Sequence, residues 1–114
     1  MIHVKRFNPE TAYTSHEGTI LADKVLPEVM PKAPFEHQYG YLMAGGEMGG
    51  HAHDTEEIYI VMGGSGSVVV GEETRAVSSG DVVYIPAGQW HTMRCAKDDQ
   101  EPFLWAALWW EKQA

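Results

Sequence analysis

His51-Ala52-His53 places two imidazoles two residues apart, so on an extended strand both project from one face. Glu57 follows after the short polar run Asp54-Thr55-Glu56, which turns the chain into the β-branched, apolar stretch Ile58-Tyr59-Ile60-Val61-Met62, the pattern of a second strand. Two neutral imidazole nitrogens and one carboxylate oxygen aimed at a common point make an incomplete metal site. His91, far downstream, is the candidate fourth donor. Three imidazoles and one carboxylate suit a divalent transition metal (iron, manganese, nickel, copper or zinc) better than calcium or magnesium, which take oxygen ligands.

These residues need short strands to hold them. From Phe35 onward the chain reads as apolar segments separated by turn residues, which points to an all-β sandwich or barrel. Phe35 to Met43 is one strand, with His37, Tyr39, Tyr41 and Met43 on one face and Gln38, Gly40 and Leu42 on the other. Gly45-Gly46 and Gly49-Gly50 are turns that bring the backbone to the histidines. Gly63-Gly64-Ser65-Gly66 reads as a hairpin turn, and Gly71-Glu72-Glu73 as another, between Ser67–Val70 and Thr74–Val77. Val82 to Ile85 is a strand closed by Pro86-Ala87-Gly88, a turn that presents Gln89-Trp90-His91. After the polar loop Lys97 to Gln100 comes a last strand, Phe103 to Trp110.

Residues 1–34 are read as an arm packing on a barrel formed by 35–114, the whole being one domain. Ile2, Val4 and Phe7 form an edge strand in this reading, and Thr19-Ile20-Leu21 another. Pro27, Pro31 and Pro34 exclude a long helix, because each proline removes a backbone donor.

Gly45, five residues, His51-x-His53, three residues, Glu57, six residues and Gly64 resemble the first conserved motif of the cupin superfamily. Gly80, five residues, Pro86-x-Gly88, two residues and His91 resemble the second. The two motifs span about half the chain. The resemblance implies a double-stranded β-helix (a jelly-roll barrel) and His51, His53, Glu57 and His91 as metal ligands. Cys95 stands where the family usually has asparagine, which puts the hydrogen bonding around the site in question but not the ligands. Cupins include dioxygenases, decarboxylases, isomerases, lyases, storage proteins and ligand sensors, so the resemblance does not choose a reaction.

Composition removes other classes. Hydrophobic residues make up 44% and charged residues 21% of the 114, which excludes a disordered chain. A net charge of −8 argues against nucleic acid or an anionic membrane as partner. The glycine turns lack the Gly-Lys-Ser/Thr ending of a phosphate loop. One cysteine, Cys95, cannot form an internal disulfide, and the start of the chain is not that of a secretory signal, so the expected compartment is the cytoplasm.

If His91 points inward, Met93 and Cys95 follow it and Thr92 and Arg94 face out. Tyr39, Tyr41, Met43, Tyr59, Met93, Cys95 and one or two tryptophans would then line an apolar, aromatic cavity. His37 and Tyr41 are the candidate catalytic groups beside the metal, with His37 as general base. His3 and His16 are expected to be exposed. No lysine or arginine claims the interior, so a neutral or aromatic substrate is expected rather than an oxalate-like dianion. Trp105, Trp109 and Trp110 put apolar surface on both faces of the last strand, and a second copy is the expected cover, giving a homodimer. The expected function is that of a metal-dependent enzyme acting on a small organic molecule. The alternative is a barrel that binds or senses a small ligand without turnover.

Overall fold

The computed structural model describes residues 1–98 and 101–112, so Asp99 and Gln100 of the expected polar loop lie outside the described residues. Among these are nine strands and no helix: β1 (Tyr13–Ser15), β2 (Ile20–Asp23), β3 (Glu36–Leu42), β4 (Thr55–Gly63), β5 (Ser65–Val70), β6 (Glu73–Ser78), β7 (Val82–Ile85), β8 (His91–Arg94) and β9 (Phe103–Glu111). They form a six-stranded sheet in the order β1-β2-β3-β9-β4-β7 and a three-stranded sheet in the order β6-β5-β8, antiparallel throughout. The fold is an all-β jelly-roll barrel.

Alternation along β4 shows how the barrel closes. Glu57, Tyr59 and Val61 are buried while Ile58 and Ile60 are only partly covered and Met62 is exposed. The inward residues meet Trp109, Ala107 and Trp105 of β9 in register. Across the core, β5 and β8 contribute Val68 and Met93, which are paired partners. Trp105, Tyr59, Phe103 and Leu42 are the largest fully buried side chains. Each such apolar side chain contributes about 1.5–3 kcal/mol on burial.

Two glycines are demanded by this packing. A Cβ on Gly40 would lie 2.3 Å from the Trp105 indole, so the ring fills the space that a β3 side chain would take. Gly64 has φ +72°, and a Cβ there would lie 2.3 Å from the Pro102 carbonyl oxygen. Gly64 does not close a hairpin as expected. It is a corner at which the chain leaves the six-stranded sheet in β4 and enters the three-stranded sheet in β5. The turn at Gly71 is a true hairpin, with Val70 opposite Glu73.

The first strand expected, Ile2 to Phe7, does not form. Ile2 and Val4 are exposed, and Phe7 instead packs its ring on Tyr39 and Tyr41 at centroid distances of 5.4 and 5.1 Å. Residues 13–23 form a β1–β2 hairpin that extends the large sheet beside β3, with Ala22 opposite Gly40. Thr92, expected to face out, is fully buried, its hydroxyl donating to the Met48 carbonyl.

The register of β3 corrects another expectation. Gln38, Gly40 and Leu42 face inward, whereas His37, Tyr39 and Tyr41 lie on the outer face, and Met43 is 59% exposed. His37 Nδ1 accepts hydrogen bonds from the Val25 and Leu26 backbone N–H groups at 2.9 and 3.3 Å. An accepting nitrogen carries no proton, and burial, with a smaller push from Lys24, lowers this imidazole's pKa. The proton affinity is therefore lower folded than unfolded, so His37 contributes stability that is complete above the ordinary value near ~6.5. That contribution is lost as pH falls toward the lower folded value. Amide hydrogen exchange at Val25 and Leu26, corrected for intrinsic rates, should accelerate between pH 7 and pH 5, and His37→Ala should remove that acceleration. Equal protection at both pH values would contradict the assignment.

Candidate metal centre

The centre is assembled by one bridge between distant segments. His51 N–H donates to the His91 carbonyl at 3.2 Å and His91 N–H to the His51 carbonyl at 2.9 Å, an antiparallel pair that seats both imidazoles side by side. The Pro86-Ala87-Gly88 turn secures the third, since Gly88 N–H donates to the His53 carbonyl at 2.7 Å. Gly88 has φ +84°, a conformation that glycine adopts without strain. Glu57 arrives from inside β4, which begins at Thr55, so Thr55 and Glu56 of the polar run are already strand and the chain bends at Asp54.

The result is a tight cluster. One ligand atom from each of His51, His53, Glu57 and His91 lies within 4.8 Å of the others. His53 Nε2 is 3.0 Å and His91 Nε2 3.2 Å from Glu57 Oε1. His91 is wholly buried, and its Nε2 has no hydrogen-bond partner, because its approach to Glu57 lacks hydrogen-bond geometry. A buried nitrogen left without a partner costs about 1–3 kcal/mol. Coordination removes that cost.

The outer nitrogens set the tautomers. His91 Nδ1 lies 2.9 Å from the Gln89 carbonyl and His51 Nδ1 3.4 Å from the Gly49 carbonyl. A carbonyl only accepts, so each Nδ1 holds the proton and each Nε2 turns a lone pair to the centre. His53 differs: its Nε2 donates to the Glu57 carboxylate at 3.0 Å while its Nδ1 accepts from the Thr55 hydroxyl at 2.8 Å. Moving the proton to Nδ1, which also faces the Thr55 carbonyl at 3.2 Å, would free Nε2 for a metal. Burial, together with the neighbouring His91, pushes His51 below the ordinary imidazole value, which favours the neutral form that binds metal. Burial and the adjacent Glu57 carboxylate raise the Tyr59 phenol well above its usual value, so it stays a neutral donor beside the cluster. The donor set and the orphaned nitrogen fit a divalent transition ion.

His51, His53 and Glu57 line a cavity of about 430 Å³, with His91 wholly buried beside them. Tyr59, Trp105 and Trp109 form its apolar wall, as expected for the first and for one or two of the tryptophans. Met93 is packed in the core, while Cys95 is buried against the wall of a different cavity, with its thiol 4.0 Å from the Ser65 carbonyl. The cysteine in the family's asparagine position therefore leaves the metal cavity untouched. His37 lines a separate cavity, with Leu26 and Phe35, and Tyr41 stacks near Phe7 on the outer face. Neither candidate catalytic group lines the metal cavity, because the β3 register turns both away.

Two residues on the cavity wall escaped the sequence reading. His16, expected to be exposed, is half-buried with its ring centroid 4.6 Å from that of His51. It sits in the β1–β2 turn, where His16, Glu17 and Gly18 all have positive φ (51°, 61° and 83°). Consecutive non-glycine residues in this conformation mark a constrained segment. Lys24, immediately after β2, is exposed and stands on the rim of this cavity and of the neighbouring one beside His37, so no lysine or arginine is buried in the interior, as expected. The available signal was the turn Ser15-His16-Glu17-Gly18 ahead of the apolar Ile20-Leu21-Ala22, which does not say where the segment docks.

A double-stranded β-barrel whose mouth holds three imidazoles and one carboxylate defines a class of metal-site proteins. Residues 39–109 match the cupin domain family, and the chain belongs to it. A cupin 2 conserved barrel domain protein from Salinispora arenicola is 27% identical, with a TM-score of 0.83 over 97% of this chain and 90% of that one. The plu4264 protein of Photorhabdus luminescens is 23% identical, with a TM-score of 0.81 over 98% and 90% of the two chains, a likeness of fold. An uncharacterized protein of Streptomyces coelicolor is 40% identical over 47 residues. That match covers 41% of this chain and 45% of the relative, so the chain spans less than half of that protein's length. No helix among the described residues is long and apolar enough to cross a membrane.

Proposed function

We propose that this cupin is a metal-dependent enzyme that converts a small organic molecule, with a divalent transition ion (iron, manganese, nickel, copper or zinc) held by His51, His53, Glu57 and His91. The observation that carries the reading is the buried, unpartnered Nε2 of His91, 3.2 Å from Glu57 Oε1, in a cluster whose other three donors line a 430 Å³ cavity. Four protein donors leave positions open for an exogenous ligand, and the cavity lies within the range of small-molecule sites. The ion supplies Lewis acidity, or redox chemistry if it is iron or copper. The chain's own part is to orient the imidazoles through Gly49, Thr55 and Gln89, to keep Tyr59 protonated as a donor, and to exclude water with the tryptophan wall. The test is a turnover screen of metal-loaded protein with small organic acids, amides and aromatics, under air and under argon. Turnover that disappears in Glu57→Gln supports the reading. Saturable ligand binding without turnover in either atmosphere identifies a binding barrel instead.

We also infer that a second copy covers the outer face of the large sheet. Ile58, Ile60, Leu104, Leu108 and Trp110 are only partly covered there, and Met62, Val82 and Tyr84 are 47%, 62% and 57% exposed. A sheet apolar on both faces buries both. Sedimentation should give a dimer at micromolar concentration, shifted toward monomer by Ile60→Glu. A wild-type monomer under those conditions contradicts the inference.

A further inference from the structure

Charge in the metal cavity runs against charge on the rest of the molecule. The chain carries −8 overall, yet the described cavity wall holds one carboxylate, Glu57, and one ammonium-bearing side chain, Lys24. A divalent ion more than balances Glu57, so the loaded cavity is cationic, and Lys24 stands on the rim that this cavity shares with the neighbouring one beside His37. Lys24 is unspent: Asp23, its neighbour, is bound to Lys5 at 2.9 Å, and Lys24 forms no salt bridge among the described residues.

The wall around that charge divides by chemistry. Ser15, His16 and Gln38 join Lys24 on a polar side supplied by the β1–β2 hairpin and β3. Gln38 Nε2 donates to Tyr13 Oη and Ser15 Oγ at 3.4 Å, and Gly49 N–H donates to Thr19 Oγ1 at 2.8 Å, so the hairpin is tied to both the sheet and the ligand loop. Trp105 and Trp109 with Tyr59 make the other side flat and apolar. A cationic cavity with a flexible lysine on its rim, within reach of an anion bound there, and broad rings on the other side fits an anionic head on a planar apolar body. It does not fit a compact dianion, for which the aromatic wall would have no partner.

Resting on the metal-dependent reading above, we propose that the cavity selects small aromatic or planar apolar monocarboxylates, and that Lys24 of the N-terminal arm is the residue that sets this preference. The arm is then part of the substrate site.

The experiment uses the full chain loaded with zinc, with metal content verified before any ligand is added. Benzoate, phenylacetate and benzamide are titrated calorimetrically into wild-type protein, Lys24→Gln and Lys24→Arg. Both carboxylates should bind wild type more tightly than the amide. Lys24→Gln should weaken carboxylate binding roughly three- to tenfold, leaving the amide and the metal content unchanged, since one charge-assisted contact is removed from a partly exposed position. Lys24→Arg should retain the preference. Because Lys24 is exposed, these variants keep the core intact. A preference for carboxylates undiminished in Lys24→Gln belongs to the metal alone and overturns the proposal, as does failure of both carboxylates to bind. A preparation that takes up no zinc overturns the metal reading itself, and that outcome is visible before the titration begins.

Discussion

Glu57→Gln is expected to lower metal affinity by more than about 100-fold while the barrel remains folded, because loss of an outer hydrogen-bond partner alone costs 10–100-fold. The carboxylate does two things that an amide of the same size cannot. It supplies the centre's one negative charge, and its Oε1 lies between His53 and His91 at 3.0 and 3.2 Å. Glutamine keeps the volume of a side chain that is only 5% exposed, so packing changes little. His51→Ala, His53→Ala and His91→Ala should each release most of the metal as well. His91→Ala should also lower stability, since that imidazole is wholly buried. Acid should have the same effect on the wild type, because only neutral imidazoles coordinate. Metal content measured after dialysis checks the set, and unchanged content in any two of the four variants defeats the assignment.

Phe103→Ala should do the reverse, damaging the fold while sparing the centre. Phe103 is fully buried, its ring 5.1 Å from that of Trp105, and Gly66 carries no side chain because a Cβ there would lie 2.5 Å from the same ring. Removing a buried phenylalanine side chain costs about 3–5 kcal/mol through lost burial and the cavity left behind. For a domain of this size that corresponds to a fall in Tm of roughly 10 °C or more. The residue lines no part of the metal cavity, so the folded fraction should hold metal with wild-type affinity. A loss of less than about 1 kcal/mol, read by denaturant titration, would show that the surrounding side chains close the gap, contrary to a close-packed core.

The donor cluster was legible in the sequence because each ligand is tied to a local device. His51 and His53 alternate on extended backbone, Glu57 falls on the inward parity of an apolar strand, and His91 follows a proline-glycine turn. Such features are written within a few residues. The β3 register was not legible, because both of its faces carry apolar or aromatic side chains and alternation alone cannot choose between them. The deciding fact is remote: the Trp105 indole of β9 occupies the space over Gly40, which turns Gln38 and Leu42 inward and His37 and Tyr41 outward. His16 and Lys24 were hidden for a related reason. Their place on the cavity wall depends on the β1–β2 hairpin pairing with β3, a contact between segments that no short-range pattern encodes.

Elemental analysis of protein purified without added metal, followed by equilibrium dialysis against manganese, iron, nickel, copper and zinc, tests the central claim most directly. The geometry of His51, His53, Glu57 and His91 predicts a single saturable site per chain for at least one of these ions, absent in Glu57→Gln. A wild-type chain that remains metal-free through both steps, or that binds each ion equally well after Glu57→Gln, contradicts it.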